Sequence, residues 1–233
     1  SLRLVGSEMC IRDRVTMTRT DAAVGVLGGT GPQGRGLARR WARAGFEVRL
    51  GSRDARRAAD TAATLGENVT GLGNGACAAE SDVVVVAVPY AGMADLLDEV
   101  ARSLAGKVVV SCVNPLGFDS RGAYALDVPE GSAAEQAAAR LPDSTVVAAF
   151  HHVSAVLLED PGTAEVDGDV LVLGDDRSAT DRIQALADAI PGMRGVYAGR
   201  LRNARQVEAL TANLISVNRR YRAHAGLRIT DIG

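Results

Sequence analysis

Cysteine, histidine, lysine and long apolar runs are all scarce in this chain of 233 residues, and each scarcity excludes something. The three cysteines are Cys10, Cys77 and Cys112, with no C-x-x-C pair among them. An odd number at wide spacing argues against a disulfide framework and for reduced thiols, as in a cytoplasm. The three histidines are His151, His152 and His224, and no H-x-H, H-x-x-x-H or mixed Cys/His spacing accompanies them. Neighbours on an extended segment point to opposite sides, so His151 and His152 cannot easily grip one ion, and no metal is expected. The longest unbroken apolar run, Val83 to Pro89, is far too short to cross a bilayer. A formal net charge of −2 implies neither a nucleic-acid partner nor a membrane surface. Lysine occurs once, at Lys107, against 25 arginines, so arginine count alone supports no argument about anions.

The first residues also lack what a structured or exported segment would show. SLRLVGSEMCIRDRVTMTRT has no apolar h-region and no clean helical or strand period. Its piece VGSEMCIRDR resembles translated sequencing adapter, so the natural chain is expected to begin at Met17. The rival expectation is a genuine disordered arm. Residues 1–20 are accordingly read as a leader.

What is present is an apolar fraction of 47%, enough for a full core, and one organising stretch from Ala22 to Asp54. A short apolar run ends in glycines, an amphipathic helix follows, and a second strand ends at Gly51-Ser52-Arg53. The turn carries G-x-G-x-x-G as Gly29-Thr30-Gly31-Pro32-Gln33-Gly34. After a strand and at the mouth of a helix, that motif reads as a dinucleotide site. Gly29 is assigned to the tight turn, Gly31 to close approach of a diphosphate, and Gly34 to close packing of the helix on the sheet. Pro32 suits the first helical position, where its missing N–H costs nothing. Free N–H groups and the helix dipole attract the anion.

An NAD site usually carries Asp or Glu at the end of the second strand, for the ribose 2′-OH. Here Gly51, Ser52 and Arg53 stand in that region, with Arg56 and Arg57 beyond. Arg53 can pair with a 2′-phosphate through two N–H bonds and Ser52 can add a third, which predicts NADP(H). The plain alternative has Ser52 capping the next helix above solvated arginines.

Further along, strands and helices alternate with short joins. Strands are expected at Val69–Leu72, Asp82–Pro89, Lys107–Cys112, Thr145–Phe150, Val170–Leu173 and Arg194–Tyr197. The valine-rich runs read as strands buried on both faces. The predicted class is α/β: a Rossmann-type, doubly wound, mostly parallel sheet over residues 21–198, with a small helical subdomain at 199–233. Strand ends then place Tyr90 and Asn114 beside the cofactor, each with an ordinary structural alternative. Phe118 to Glu130 reads as an irregular loop. Ser132 and Glu135 form a capping pair. Asp175 and Asp176 look like first-turn carboxylates of a helix. One of His151 and His152 is expected to face a substrate pocket. A final helix, about Asn203 to His224, carries an apolar stripe at Val207, Leu210, Leu214, Val217 and Tyr221, for its own sheet or a second subunit. Arg219, Arg220, Arg222 and Arg228 either meet an acidic substrate or form a solvated basic end.

Gly28–Gly34, Gly51-Ser52-Arg53, Asn114-Pro115-Leu116, Ala149-Phe150-His151 and Gly226-Leu227-Arg228-Ile229-Thr230 together resemble the NADPH-dependent F420 reductases (F420:NADP oxidoreductases) over residues 22 to 232. The resemblance implies hydride transfer between NADP(H) and the deazaflavin coenzyme F420, in a cytoplasmic homodimer. It implies that Thr30 to Gln33 hold the diphosphate, and that Ser52, Arg53 and Arg57 hold the 2′-phosphate. Tyr90, Gly92 and Ala155 would line the nicotinamide side, and His151 and Ala225 would contact F420. Some relatives carry Trp and His where this chain has Tyr90 and Gly92, leaving only backbone contact at Gly92. Direct hydride transfer needs little proton chemistry, so His151 is expected to position F420 rather than act as acid or base. The alternatives are an NADPH reductase of a flavin, imine or ketone, and a non-catalytic NADP(H) sensor.

Overall fold

The computed structural model describes residues 22–232, and the expected leader at 1–20 lies outside them. The expected βαβ unit is β1 (Val24–Leu27), α1 (Pro32–Arg43) and β2 (Val48–Ser52). It continues through α2 (Ala55–Ala63), β3 (Val69–Gly73), α3 (Asn74–Glu80), β4 (Val83–Val86), α4 (Met93–Leu104) and β5 (Val108–Ser111). A hairpin of β6 (Leu116–Asp119) and β7 (Gly122–Ala125) leads to α5 (Ala133–Arg140), β8 (Thr145–Ala148) and α6 (Ala155–Glu159). The chain then runs through β9 (Gly168–Leu173), α7 (Arg177–Asp188), β10 (Met193–Gly199) and α8 (Ala204–Tyr221).

Eight strands form one sheet in the order β10-β9-β8-β5-β4-β1-β2-β3. Every neighbouring pair is parallel except β8 with β9. The architecture is the Rossmann-like, mostly parallel sheet expected from the sequence. Strand order reverses between β1 and β4, and that is where open α/β sheets leave a crevice for ligands.

The valine runs split between two layers by their period of two. Val83 and Val85 join the core under α1 and α7, with Leu37, Trp41 and Ile183. Val84 and Val86 join the opposite core under α3 and α4, with Cys77 and Leu97. Trp41, the sole tryptophan, meets the Phe150 ring edge-on, with centroids 5.5 Å apart, and its indole N–H donates to the Leu186 carbonyl. Those two contacts tie α1 to the segment after β8 and to α7.

Two stretches differ from the sequence reading. Residues 118–130 were expected to be irregular, yet β6 and β7 open them as a hairpin. The Asp119 carboxylate accepts from the N–H groups of Arg121 and Gly122, closing the turn. Gly122, at φ 127, supplies the left-handed residue. The capping of α2 also differs. Asp54, not Ser52, accepts from Arg56 N and Arg57 N, and Ser52 Oγ only receives the Asp54 N–H. Elsewhere the capping chemistry is as expected. Ser132 Oγ accepts from Glu135 N at 3.0 Å, and Asp176 accepts from Ala179 N at 2.7 Å.

The C-terminal run is held by Asp169, whose side chain is fully buried. Arg194 donates two bonds to it, at 3.0 and 2.9 Å, and hydrogen bonding to Arg194 holds its carboxyl below the usual range. Ile229 N and Arg228 donate to the same carboxylate, and Arg228 also pairs with Asp167. Arg228 is therefore occupied by ion pairs within the fold.

Candidate functional site

A cleft of about 500 Å³ opens over the β1/β4 reversal. Its floor is Gly28, Thr30 and Gly31, one wall is Ser52, Arg53, Asp54 and Arg57, and the other is Val88, Pro89 and Gly92 with the first turns of α4. The loop shape comes from two glycines with different duties. Gly28, at φ 77, makes the left-handed turn that the sequence reading assigned to Gly29. A Cβ on Gly29 would instead strike the Leu50 side chain at 2.5 Å. A Cβ on Gly31 would meet only the Gly28 carbonyl, at 3.4 Å, and would otherwise stand in open cleft. The fold does not need Gly31 to be glycine, so its bareness suits a ligand that approaches the main chain closely.

The helix start suits an anion too. Pro32 opens α1, Gly31 is its N-cap with no side-chain cap bond, and no acidic residue lies in its first turn. N–H groups in a first helical turn lack intrahelical partners and carry the positive end of the dipole. With Arg53 and Arg57 across the cleft, the donors match a diphosphate and a second phosphate, so the residues fit a phosphorylated dinucleotide.

The other expected site residues divide into separate groups. Gln33 does not reach into the cleft; its amide donates to the Phe150 carbonyl at 3.1 Å. Gly34 serves packing, since a Cβ there would lie 2.7 Å from Gly29 Cα. Tyr90 and Gly92 belong to the turn Tyr90–Gly92 before α4; Tyr90 packs on the core and Gly92 is open on the cleft. Ala155 heads α6. Ala225 N donates to Asn218 Oδ1 and lines a small cavity of about 20 Å³ with His152, Asp169 and His224.

Asn114 and His151 do come together. Asn114 Nδ2 donates to the His151 carbonyl at 2.8 Å, and Thr211 Oγ1 of α8 donates to the same oxygen at 3.2 Å. Thr211 carried no sequence signal, because only the docking of α8 brings it there. The preceding Phe150 sits at φ 62, a strained value for a bulky residue, of the kind that collects at functional sites. The His151 ring is buried, and neither ring nitrogen has a hydrogen-bond partner. Burial, with His152 beside it, pushes its pKa down to about 3. Burial thus favours the neutral imidazole, which offers one N–H and one lone pair. His152 Nε2 bonds the Asp169 carbonyl at 2.8 Å, which makes it the structural member of the pair. Among the described residues, no group of three or more His, Cys, Asp or Glu side chains could hold a metal ion, and no helix is long and apolar enough to cross a membrane.

Glu208 of α8 is a buried group shifted the opposite way. Its carboxylate accepts from Ala133 N at 2.9 Å and Ala134 N at 3.0 Å, fastening α8 to the start of α5. Burial pushes it up to about 7 in spite of those bonds. The two groups give opposite pH slopes. Below the unfolded histidine value of 6.5, the unfolded chain takes a proton that folded His151 refuses down to about 3, so stability falls on acidification through that window. Above the unfolded carboxyl value of 4.5, the folded chain keeps a proton on Glu208 up to about 7, so stability falls as pH rises through that window. Urea unfolding from pH 4 to 8 is expected to show a shallower acid loss in His151→Asn and a shallower loss between pH 5 and 7 in Glu208→Gln. Unchanged slopes in both variants would contradict the burial of these groups.

Comparisons with known proteins show which family the chain resembles. A family model described as NADP oxidoreductase, coenzyme F420-dependent, matches residues 23–115. The chain is 40% identical over 221 residues to the F420-dependent NADP reductase of Methanothermobacter marburgensis, covering 90% of this chain and 98% of the relative. It is 36% identical over 221 residues to the F420-dependent NADP reductase of Methanocaldococcus jannaschii, with 90% and 98% covered. A solved structure from Arthrobacter sp. FB24, provisionally described as an F420-dependent NADP reductase, superposes with a TM-score of 0.78 at 28% identity, covering 90% of this chain and 99% of that one.

Proposed function

The chain belongs to the F420-dependent NADP reductases, and from that premise we propose how its residues share the work. It is an oxidoreductase that moves a hydride between NADP(H) and coenzyme F420. The observation that carries the residue assignment is one cleft in which a bare main-chain floor at Gly31 faces Arg53 and Arg57.

The main chain from Thr30 to Gln33 and the dipole of α1 hold the diphosphate. Ser52, Arg53 and Arg57 hold the 2′-phosphate and so select NADP(H) over NAD(H). Tyr90, Gly92, Asn114 and Ala155 line the nicotinamide side. His151 and Ala225 contact F420, and the segment 199–233 completes that side of the site beside the nucleotide domain, 21–198. The link from Thr211 on α8 to the His151 carbonyl supports this division.

When both are bound, nicotinamide C4 and deazaflavin C5 supply the hydride chemistry themselves, so alignment provides most of the catalysis. His151 orients a ring by hydrogen bonding and transfers no proton, which accords with an imidazole held neutral by burial. Phe118 and Tyr124 of the hairpin and Val217 and Tyr221 of α8 are exposed, and these two elements pack together. The exposed end of the α8 stripe, Val217 and Tyr221, is the surface assigned to a second copy in a homodimer. Cys77 and Cys112 are free, buried thiols, and burial pushes Cys112 up to about 12, in keeping with a reducing cytoplasm.

Deuterium tests the proposed alignment. With NADPH labelled at C4 in ordinary water, the label is expected on C5 of reduced F420, from one face of the nicotinamide only. Loss of label to solvent would contradict direct transfer between stacked rings.

A further inference from the structure

The cleft has a second polarity that phosphate binding leaves unexplained. Opposite Arg53 and Arg57, the wall from α4 presents Asp95 and Glu99, one turn apart, with the apolar Leu96 between them. Two carboxylates are a poor choice beside a polyanionic ligand unless they face a part of it that donates hydrogen bonds. At the end of β3, Asn74 lines the same cleft. It is 5% exposed, and its Oδ1 is buried with no hydrogen-bond partner. Leaving a buried amide oxygen unpaired is costly, so a donor from a ligand is the natural remedy. Gly73, just before it, lies in register with Ser52 of β2, which puts Asn74 next to the proposed 2′-phosphate site.

We propose that Asn74 reads the adenine ring, Oδ1 accepting from its exocyclic amine while Nδ2 donates to the neighbouring ring nitrogen, with Leu96 against the ring and Asp95 and Glu99 favouring the amine. The side-chain amide is the group that pairs with adenine in two bonds at once, one as acceptor and one as donor. Hypoxanthine carries a carbonyl in place of the amine. It would set an acceptor against Oδ1 and against both carboxylates. The cleft is then read from two ends, guanidinium for the phosphate and amide for the base. This inference rests on the reading that NADP(H) occupies the cleft.

Equilibrium binding of NADPH, NADH and the deaminated analogue, nicotinamide hypoxanthine dinucleotide phosphate, tests it without any turnover. The unaltered chain is expected to bind NADPH about 10-fold or more tighter than the deaminated analogue. In Asn74→Ala that ratio is expected to fall several-fold, the remainder being left to Asp95 and Glu99, while the preference for NADPH over NADH persists. Asn74→Ser gives the same comparison should the alanine variant fold poorly. A chain that binds NADPH but does not distinguish the analogue, or a ratio that survives in both variants, overturns the assignment of Asn74. No preference for NADPH over NADH in the unaltered chain would instead overturn the underlying cofactor reading.

Discussion

Replacing Arg53 with alanine is expected to weaken NADPH about 10- to 100-fold and leave NADH nearly unchanged, because a charged hydrogen bond contributes roughly 1.5–3 kcal/mol. The reason lies at the end of β2. Its last residue is Ser52, and the cleft wall continues through Arg53, Asp54 and Arg57. The one carboxylate there, Asp54, accepts from two N–H groups of α2, at 2.9 and 3.2 Å, and caps that helix. It is spent on the fold, not on a ribose hydroxyl. Ser52 is released from the capping duty and needs only to receive the Asp54 N–H. A guanidinium can give a phosphate two parallel bonds, which an ammonium cannot. Arg53→Lys should therefore recover only part of the loss. Equal weakening of both nucleotides by Arg53→Ala, measured at equilibrium, would remove the basis for NADP(H) selection.

Gly31→Ala is expected to lower NADPH affinity by about 10-fold or more while leaving the thermal midpoint unchanged or slightly raised. Gly31 has φ −82 and ψ 164, ordinary values for any residue, and its new methyl group would enter the cleft rather than the core. Gly34→Ala makes the contrast. Its Cβ would lie 2.8 Å from the Gly28 carbonyl oxygen, a backbone atom that cannot turn aside, so that variant should lose stability as well as affinity. A Gly31→Ala protein that binds NADPH normally would mean the phosphates do not rest on this loop.

The sequence and the structure agree where a local pattern determines the outcome. Four valines in a row, Val83 to Val86, specify a strand buried on both faces whatever surrounds it. Glycines and Pro32 mark the turn into α1, and Ser132 with Glu135 marks the start of α5. The hairpin was harder, since Phe118 and Tyr124 are exposed and no alternation of apolar and polar residues announces it. Its signal was turn chemistry, Asp119 with Gly122, which hydrophobic periodicity does not register. Helix α6 has only five residues, too few to show a period.

The site divides along the same line. Cleft residues on the first βαβ unit follow from the glycine motif and from the missing acid after Gly51. The His151 environment does not, because its carbonyl is held by Asn114 and Thr211, two residues remote from it in sequence. Asn74 and Thr211 are polar residues of a common kind, and only tertiary packing shows that one lines the cleft and the other meets the His151 carbonyl.

The most direct measurement mixes the protein with NADPH and oxidised F420 and follows loss of F420 absorbance, with NADH as alternative donor and FMN as alternative acceptor. The expected result is rapid bleaching with NADPH and F420, and little reaction when either is replaced. Bleaching as fast with NADH, reduction of FMN as fast as F420, or no reaction in a protein that binds NADPH would contradict it.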